Sequence, residues 1–271
     1  MFDSQEEMLR LSDDEGTLVI SQDDEYRVMR FGTNYNQSAM KLENPHALVF
    51  EYTQAMLIAL AFGTPRHVTM LGLGGGSLLR SLHHHFDAMH FRVIELRQHV
   101  LAAAKEYFMV PEGNRVDYLI GDGIQVIAET TSNSTGLILS DMFNAQGPEH
   151  FQESTDFLLE AYRVLTADGW LVINCHDLPP VTSVFMLQAL RLFKDVFWVA
   201  LNSGNYVLLM GKANLTIPFD ELAFSTLSLE QRIGEKLYKH ARRMVKVEGS
   251  VTNTIRLLRP LNSDETIEFR V

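Results

Sequence analysis

The residues best placed to do chemistry are a glycine run and two carboxylates downstream of it. Leu71-Gly72-Leu73-Gly74-Gly75-Gly76-Ser77-Leu78-Leu79-Arg80 follows an apolar stretch, His67 to Leu73, that reads as a buried strand. Glycines at 72, 74 and 76 let the backbone turn tightly and approach a ligand with no Cβ in the way. A helix starting near Ser77 then aims its free N–H groups at that ligand. Glu95 lies about twenty residues beyond the loop, at the end of a second strand, His90 to Leu96. A carboxylate there accepts both hydroxyl protons of a ribose, although a solvated strand end is the plainer alternative. Asp141 ends a fourth strand, where open α/β sheets bind their ligands, and precedes a polar loop, Met142 to His150. Its carboxylate suits attraction of an ammonium and acceptance of its proton, or a structural role within its own loop. Asp122, before Gly123-Ile124-Gln125, suits a helix N-cap and can cap and bind at once.

The elements that must position these groups alternate. Strands are predicted near 67–73, 90–96, 115–120, 135–141 and 169–175, with helices near 77–86, 97–108, 122–130, 153–166 and 181–194. Such alternation predicts a parallel sheet covered on both faces. Val196 to Leu201 and Tyr206 to Met210 are separated only by Asn202-Ser203-Gly204-Asn205, which predicts an antiparallel hairpin at the sheet edge. Short alternating segments between Glu15 and Met40 predict small N-terminal hairpins, and a helix is expected over Val49 to Phe62. Phe219 to Val247 reads as an amphipathic helical stretch followed by a polar tail. The expected division is residues 1–48, an N-terminal β-hairpin region; 49–212, a nucleoside-binding domain; and 213–271, a helical extension and tail.

Composition bounds the function. The 271 residues carry a formal charge of -11, which argues against nucleic acid as a partner because phosphate binding needs surplus Lys and Arg. That charge suits a cationic substrate. One cysteine, Cys175, excludes an internal disulfide and a cysteine-based zinc cluster. No transmembrane span and no basic-then-apolar leader is legible, so the expectation is a cytoplasmic protein with no membrane partner. His83-His84-His85 projects in different directions from one helix and reads as a solvated helix end, so no metal is expected. Cys175-His176 reads as inert packing at a strand end. Lys236, Lys239, Arg242, Arg243 and Lys246 read as a basic face that is solvated or paired with Glu230 and Glu235.

The whole pattern resembles the S-adenosylmethionine-dependent methyltransferase fold: α/β, Rossmann-like, with a mostly parallel seven-stranded sheet and an antiparallel last strand. Within it, Glu95, Arg115 to Gly123, and Asp141 with Gly147-Pro148 are similar to the consecutive motifs of the spermidine synthase family, the polyamine aminopropyltransferases. The resemblance spans about Glu15 to Lys212 and includes a hairpin domain ending near Gln37. It implies transfer of an aminopropyl group from decarboxylated S-adenosylmethionine to a small-molecule amine such as putrescine, leaving methylthioadenosine. It further implies that Glu95 holds the ribose, that Asp122 holds the adenine amino group, and that Asp141 orients and deprotonates the amine. The glycine loop, Gly123 and Gln37 would complete the nucleoside site, Tyr52 and Asn144 would meet the acceptor, and the protein would be a homodimer.

The departures bear on specificity. The family places an Asp inside the glycine loop where this chain has Gly75, and a glycine where it has Ser77. The second acid of the family's Asp-x-x-Asp pair is Asn144 here, its proline is Ala145, and the usual Tyr-His-Glu is Tyr52-Thr53-Gln54. Neutral groups hold a charged amine less tightly than carboxylates do. Two rival readings follow: a methyltransferase using intact S-adenosylmethionine, since loss of the loop acid leaves room for a donor carboxylate, and a non-catalytic nucleoside-binding homologue.

Overall fold

The computed structural model describes residues 5–32, 35–144, 147–148, 154–247 and 255–257. The N-terminal segments form a four-stranded antiparallel meander of β1 (Glu6–Asp13), β2 (Gly16–Gln22), β3 (Tyr26–Phe31) and β4 (Tyr35–Lys41). A one-residue bulge breaks the β3–β4 ladder: Met29 pairs with Ser38 and Arg30 with Asn36, so Gln37 has no partner in the register. Bulges of this kind re-aim a side chain. The helix expected over 49–62 is α1 (Glu51–Met56) running into a 3-10 turn over Leu57–Ala61.

A nine-stranded sheet follows, built with its helices in strict alternation: β5 (His67–Leu71), α2 (Ser77–His85), β6 (His90–Glu95), α3 (Gln98–Tyr107), β7 (Val116–Ile120), α4 (Gly123–Glu129) and β8 (Thr135–Ser140). After β8 comes a two-residue hairpin, β9 (Phe143–Asn144) with β10 (Gly147–Pro148). The chain continues as α5 (Thr155–Val164), β11 (Leu165–Cys175), α6 (Val184–Leu192), β12 (Asp195–Ala200) and β13 (Tyr206–Gly211). The sheet order is β15-β14-β12-β13-β11-β8-β5-β6-β7. β13 pairs antiparallel with both β11 and β12. It therefore inserts into the sheet, and the β12 edge runs with the parallel strands rather than against them. The parallel strands read as apolar runs because helices cover both of their faces; in β5 only His67 is exposed.

The C-terminal extension departs from the helical expectation. It forms 3-10 turns over Phe219–Glu221 and Phe224–Thr226, then α7 (Leu227–Ile233), α8 (Leu237–Ala241) and β14 (Met244–Val247), with β15 (Ile255–Leu257) beyond. β14 pairs antiparallel with β12 and β15 with β14, which widens the expected seven strands to nine. Gly234, at φ 73, stops α7 in a left-handed cap. On the basic face Lys236 and Arg243 are exposed, while Lys239 lies 3.5 Å from Glu51 and Lys246 2.7 Å from Asp195.

Two contacts seat the N-terminal sheet beside the carboxyl ends of the parallel strands. Leu18, Ile20, Met29, Phe31 and Met40 form one buried cluster with Val100, Ala103 and Phe108 of the α3 region. Arg97, just past β6, donates to both oxygens of Asp13 at 2.9 and 3.1 Å and to the Gly16 carbonyl at 2.9 Å. Its guanidinium also lies 4.8 Å from the Phe31 ring centre.

Candidate active site

The ends of β7, β6, β5 and β8 stand in register. Gly121 donates to the Glu95 carbonyl at 3.0 Å, Gly72 to the Ile94 carbonyl at 2.9 Å and Asp141 to the Leu71 carbonyl at 2.8 Å. Strand order alone thus arranges Asp122, Glu95, the glycine loop and Asp141 in a row. Adjacent strands are about 4.8 Å apart, so the row from β7 to β8 spans about 14 Å. A cavity of about 320 Å³ lies over it, lined by Gly72, Gly74, Gly76, Glu95, Asp122, Gly123 and Asp141. Gln37 and Tyr52 also line it. Of the candidate residues only Asn144 is absent from that lining; it lies on β9, and its side chain is outside the described residues. Ala145 and most of the loop after Pro148 are likewise outside them.

Glu95 is buried, and each oxygen accepts one backbone N–H: Leu73 on Oε2 and Arg97 on Oε1, both at 3.0 Å. Burial raises its pKa, opposed by the N–H groups of Arg97, Leu73 and Gly74 and by the Arg97 charge. It therefore fixes the loop through backbone N–H groups, and the acceptor capacity they leave over remains for a ligand's hydroxyls. Asp122 caps α4, taking the Ile124 N–H at 2.7 Å on Oδ1, while its side chain stays exposed at the cavity rim.

Two of the loop glycines that line the cavity are also required by the protein's own packing. Gly72, at φ 89, passes so close to the Asp141 carbonyl that a Cβ would overlap it. Gly76, at φ 69, has Val110 in the same relation and begins α2 with no side-chain cap. At Gly74 a Cβ would make only ordinary contact, its nearest neighbour being Ser38 at 3.8 Å. Gly75 is packed: a Cβ there would lie 2.8 Å from Ser38 Oγ and 2.9 Å from Phe108. Gly75→Asp is expected to cost about 1–3 kcal/mol through overpacking, read as a lower melting temperature, and Ser38→Gly in the same chain should restore part of it.

Beneath the loop, Arg80 is 2% exposed and donates to the carbonyls of Gly75, Phe108 and Pro45. Burial lowers its pKa to about 10, so it stays charged at neutral pH. Sequence reasoning passed over it, although a charge inside Leu78-Leu79-Arg80-Ser81-Leu82 was the signal.

Asp141 accepts from Asn174 Nδ2 at 2.8 Å and has the Tyr52 hydroxyl within hydrogen-bonding reach. Burial raises its pKa to about 6, against the lowering effect of those two donors. Burial, reinforced by the Asp141 charge, pushes the Tyr52 phenol well above its ordinary value, so it remains a donor. Tyr52 also reaches the carbonyl of the bulged Gln37 at 3.3 Å. A carboxylate with a pKa near neutrality is a better general base than an ordinary aspartate.

Gln54 is not part of this wall. Its amide nitrogen donates to the Leu48 carbonyl at 2.8 Å and to Glu235 at 3.1 Å, and its oxygen meets His240 at 3.2 Å. The family's acid-to-amide change at this position thus joins α1 to the C-terminal extension. Sequence reasoning also missed Glu15 and Arg97, which line the cavity from the first hairpin turn and from the residue pair after Glu95.

A match to the spermine/spermidine synthase domain covers residues 50–207, more than half of the sequence. The chain belongs to the spermine/spermidine synthase family. Among curated relatives, this family member is 27% identical over 233 residues to the polyamine aminopropyltransferase of Neisseria meningitidis serogroup A, covering 85% of this chain and 84% of the relative. A probable spermidine synthase from Corynebacterium glutamicum superposes with TM-score 0.69 at 18% identity, covering 81% of this chain and 86% of that one. A spermidine synthase in complex with the transition-state analogue AdoDATO gives 0.63 at 15%, covering 84% and 88%. Human methyltransferase-like protein 13 in complex with SAH gives 0.62 at 22%, covering 69% and 94%. These structural likenesses establish the fold, which the spermidine synthase family shares with methyltransferases.

Proposed function

We propose that this family member transfers an aminopropyl group from decarboxylated S-adenosylmethionine to a small-molecule amine. The observation that carries the reading is the row Asp122, Glu95, glycine loop, Asp141, which sets a base at one end of a nucleoside-sized cavity. Asp122 takes the adenine amino group on its uncapped oxygen, Glu95 the ribose hydroxyls, and Gln37 and Tyr52 close the far wall, with Asn144 toward the acceptor. The amine nitrogen attacks the propyl carbon bound to the sulfonium. The carbon–sulfur bond breaks with its electron pair going to sulfur, methylthioadenosine leaves, and the amine's proton passes to Asp141. Because the donor already carries its leaving group, the protein's work is alignment and proton removal. Tyr52, its hydroxyl within reach of both Asp141 and the Gln37 carbonyl, can turn its one proton to the carboxylate and so hold it toward the nitrogen. We further propose a homodimer in a reducing cytoplasm, consistent with the lone buried Cys175 and with the family resemblance; no helix among the described residues is long and apolar enough to cross a membrane.

Calorimetric titration with methylthioadenosine, decarboxylated and intact S-adenosylmethionine tests the donor site. The expected order favours the decarboxylated donor, and Glu95→Gln should weaken every nucleoside by about tenfold, through loss of a charge-assisted hydrogen bond. Tighter binding of intact S-adenosylmethionine would move the protein to the methyltransferase reading. Undiminished affinity in Glu95→Gln would remove Glu95 from the ribose.

A further inference from the structure

The row of polar groups continues past Asp141. Asn174 of β11 is 1% exposed, and its Nδ2 donates to Asp141 Oδ1 at 2.8 Å. Its own Oδ1 accepts from Asn205 Nδ2 at 3.0 Å, and Asn205 Oδ1 pairs with Ser203 Oγ at 3.2 Å. The directions are forced in sequence. An ionised carboxylate only accepts, so Asn174 must turn its NH₂ toward Asp141 and its carbonyl away. That carbonyl asks for a donor, so Asn205 must present its NH₂, which leaves its carbonyl for the Ser203 hydroxyl.

Asn205 is within reach because of the inserted antiparallel strand. β13 begins where the parallel strands end, so the β12–β13 turn lies at the same edge as Asp141. The turn is closed by the Leu201 N–H on the Asn205 carbonyl at 2.9 Å, and Arg243 of the extension reaches Asn202 at 3.2 Å.

We propose that Asn205 and Asn174 are positioning residues that form a one-way amide relay, holding a donor on Asp141 Oδ1 and leaving Oδ2 to meet the acceptor nitrogen. The relay accounts for one of the two donors that oppose burial at Asp141. Reversing Asn174 puts a carbonyl against the carboxylate, and reversing Asn205 sets two carbonyls against each other. The kinetic part rests on the aminopropyl-transfer reading; the relay itself does not.

The test is Asn205→Asp beside Asn205→Ala. Asp at 205 keeps the size but cannot donate to Asn174, so the Asn174 amide must turn over, whereas Ala leaves room for water to donate in its place. Carbon-13 NMR of the aspartate and glutamate carboxyls reads Asp141 directly and needs no substrate. It also separates Asp141 from the other groups around the cavity, Glu15, Glu95 and Asp122, and from Tyr52 on α1; the cations facing this region are Arg97 at the cavity and Arg243 at the turn. The Asp141 midpoint should rise by about one unit in Asn205→Asp, from the lost charge-assisted hydrogen bond together with the added negative charge, and by less but measurably in Asn205→Ala, where no charge is added. In parallel, kcat/KM should fall about tenfold in Asn205→Asp with donor affinity unchanged. An unmoved Asp141 midpoint in Asn205→Ala overturns the relay whatever the Asp variant does, because there the hydrogen bond changes and the charge does not. A wild-type protein without transferase activity would overturn the proposed function while the titration still decides the relay.

Discussion

Asp141→Asn is expected to remove most of the activity and to make the protein more stable at neutral pH. The loss follows from the role of general base: kcat/KM should fall about 10²–10⁴-fold with nucleoside affinity nearly intact, since Asn keeps the shape and the acceptor for Asn174. The gain follows from burial. The folded carboxyl has a pKa of about 6 against an ordinary 3.8. The folded state therefore holds its proton more tightly than the unfolded state, and ionising it opposes folding. Wild-type stability should rise as pH falls from about 6 to about 4, and above pH 6 the cost is at its full value. That difference of about two pK units corresponds to about 3 kcal/mol, which the neutral variant avoids. Urea unfolding of both proteins at pH 8 and pH 4 checks this. The variant should be the more stable at pH 8, and the two should converge at pH 4. A variant less stable than wild type at both values would assign Asp141 a structural role.

Gly72→Ala is expected to be the most damaging single-methyl change in the site. The residue sits at φ 89, a conformation L side chains rarely adopt, and its Cβ would overlap the Asp141 carbonyl. The chain cannot yield locally, because Gly72 N–H is bonded to Ile94 and Asp141 N–H to Leu71. Relief must come from pushing β5 and β8 apart at the point where the base and the loop meet. A cost of about 3 kcal/mol or more is expected from strain and overlap together, with loss of nucleoside binding beyond what the stability change explains. Gly74→Ala provides the contrast: it shares positive φ, but its Cβ would meet only Ser38 at an ordinary contact distance, so its stability loss should be about 1 kcal/mol. Thermal melts with and without methylthioadenosine distinguish the two. Equal losses at 72 and 74 would mean that φ alone, and not the contact with Asp141, sets the requirement for glycine.

Why some of this was legible in the sequence and some was not is a matter of range. Glu95, Asp122 and Asp141 each end an apolar strand, and the end of such a run is a local signal. The register that brings those ends together is the simplest one for alternating strands and helices. Asn174 and Asn205 carry no such mark, because their meeting depends on β13 inserting between β11 and β12, and strand order is written in tertiary packing. Gln37 was named a site residue through the family resemblance alone; the bulge that frees it from the ladder appears only in the β3–β4 register. The extension was misread because its basic residues continue at helical spacing from Lys236 to Lys246, which hid the strand Met244–Val247. Gly234 was a readable stop signal within that stretch.

The central claim is that a nucleoside sulfonium and an amine react over Asp141. Mass spectrometry of the purified protein incubated with decarboxylated S-adenosylmethionine and a panel of small amines tests it most directly. Methylthioadenosine and one aminopropylated amine are expected in equal amounts, both suppressed in Asp141→Asn. Formation of S-adenosylhomocysteine from intact S-adenosylmethionine, with no aminopropyl product from any amine, would contradict it.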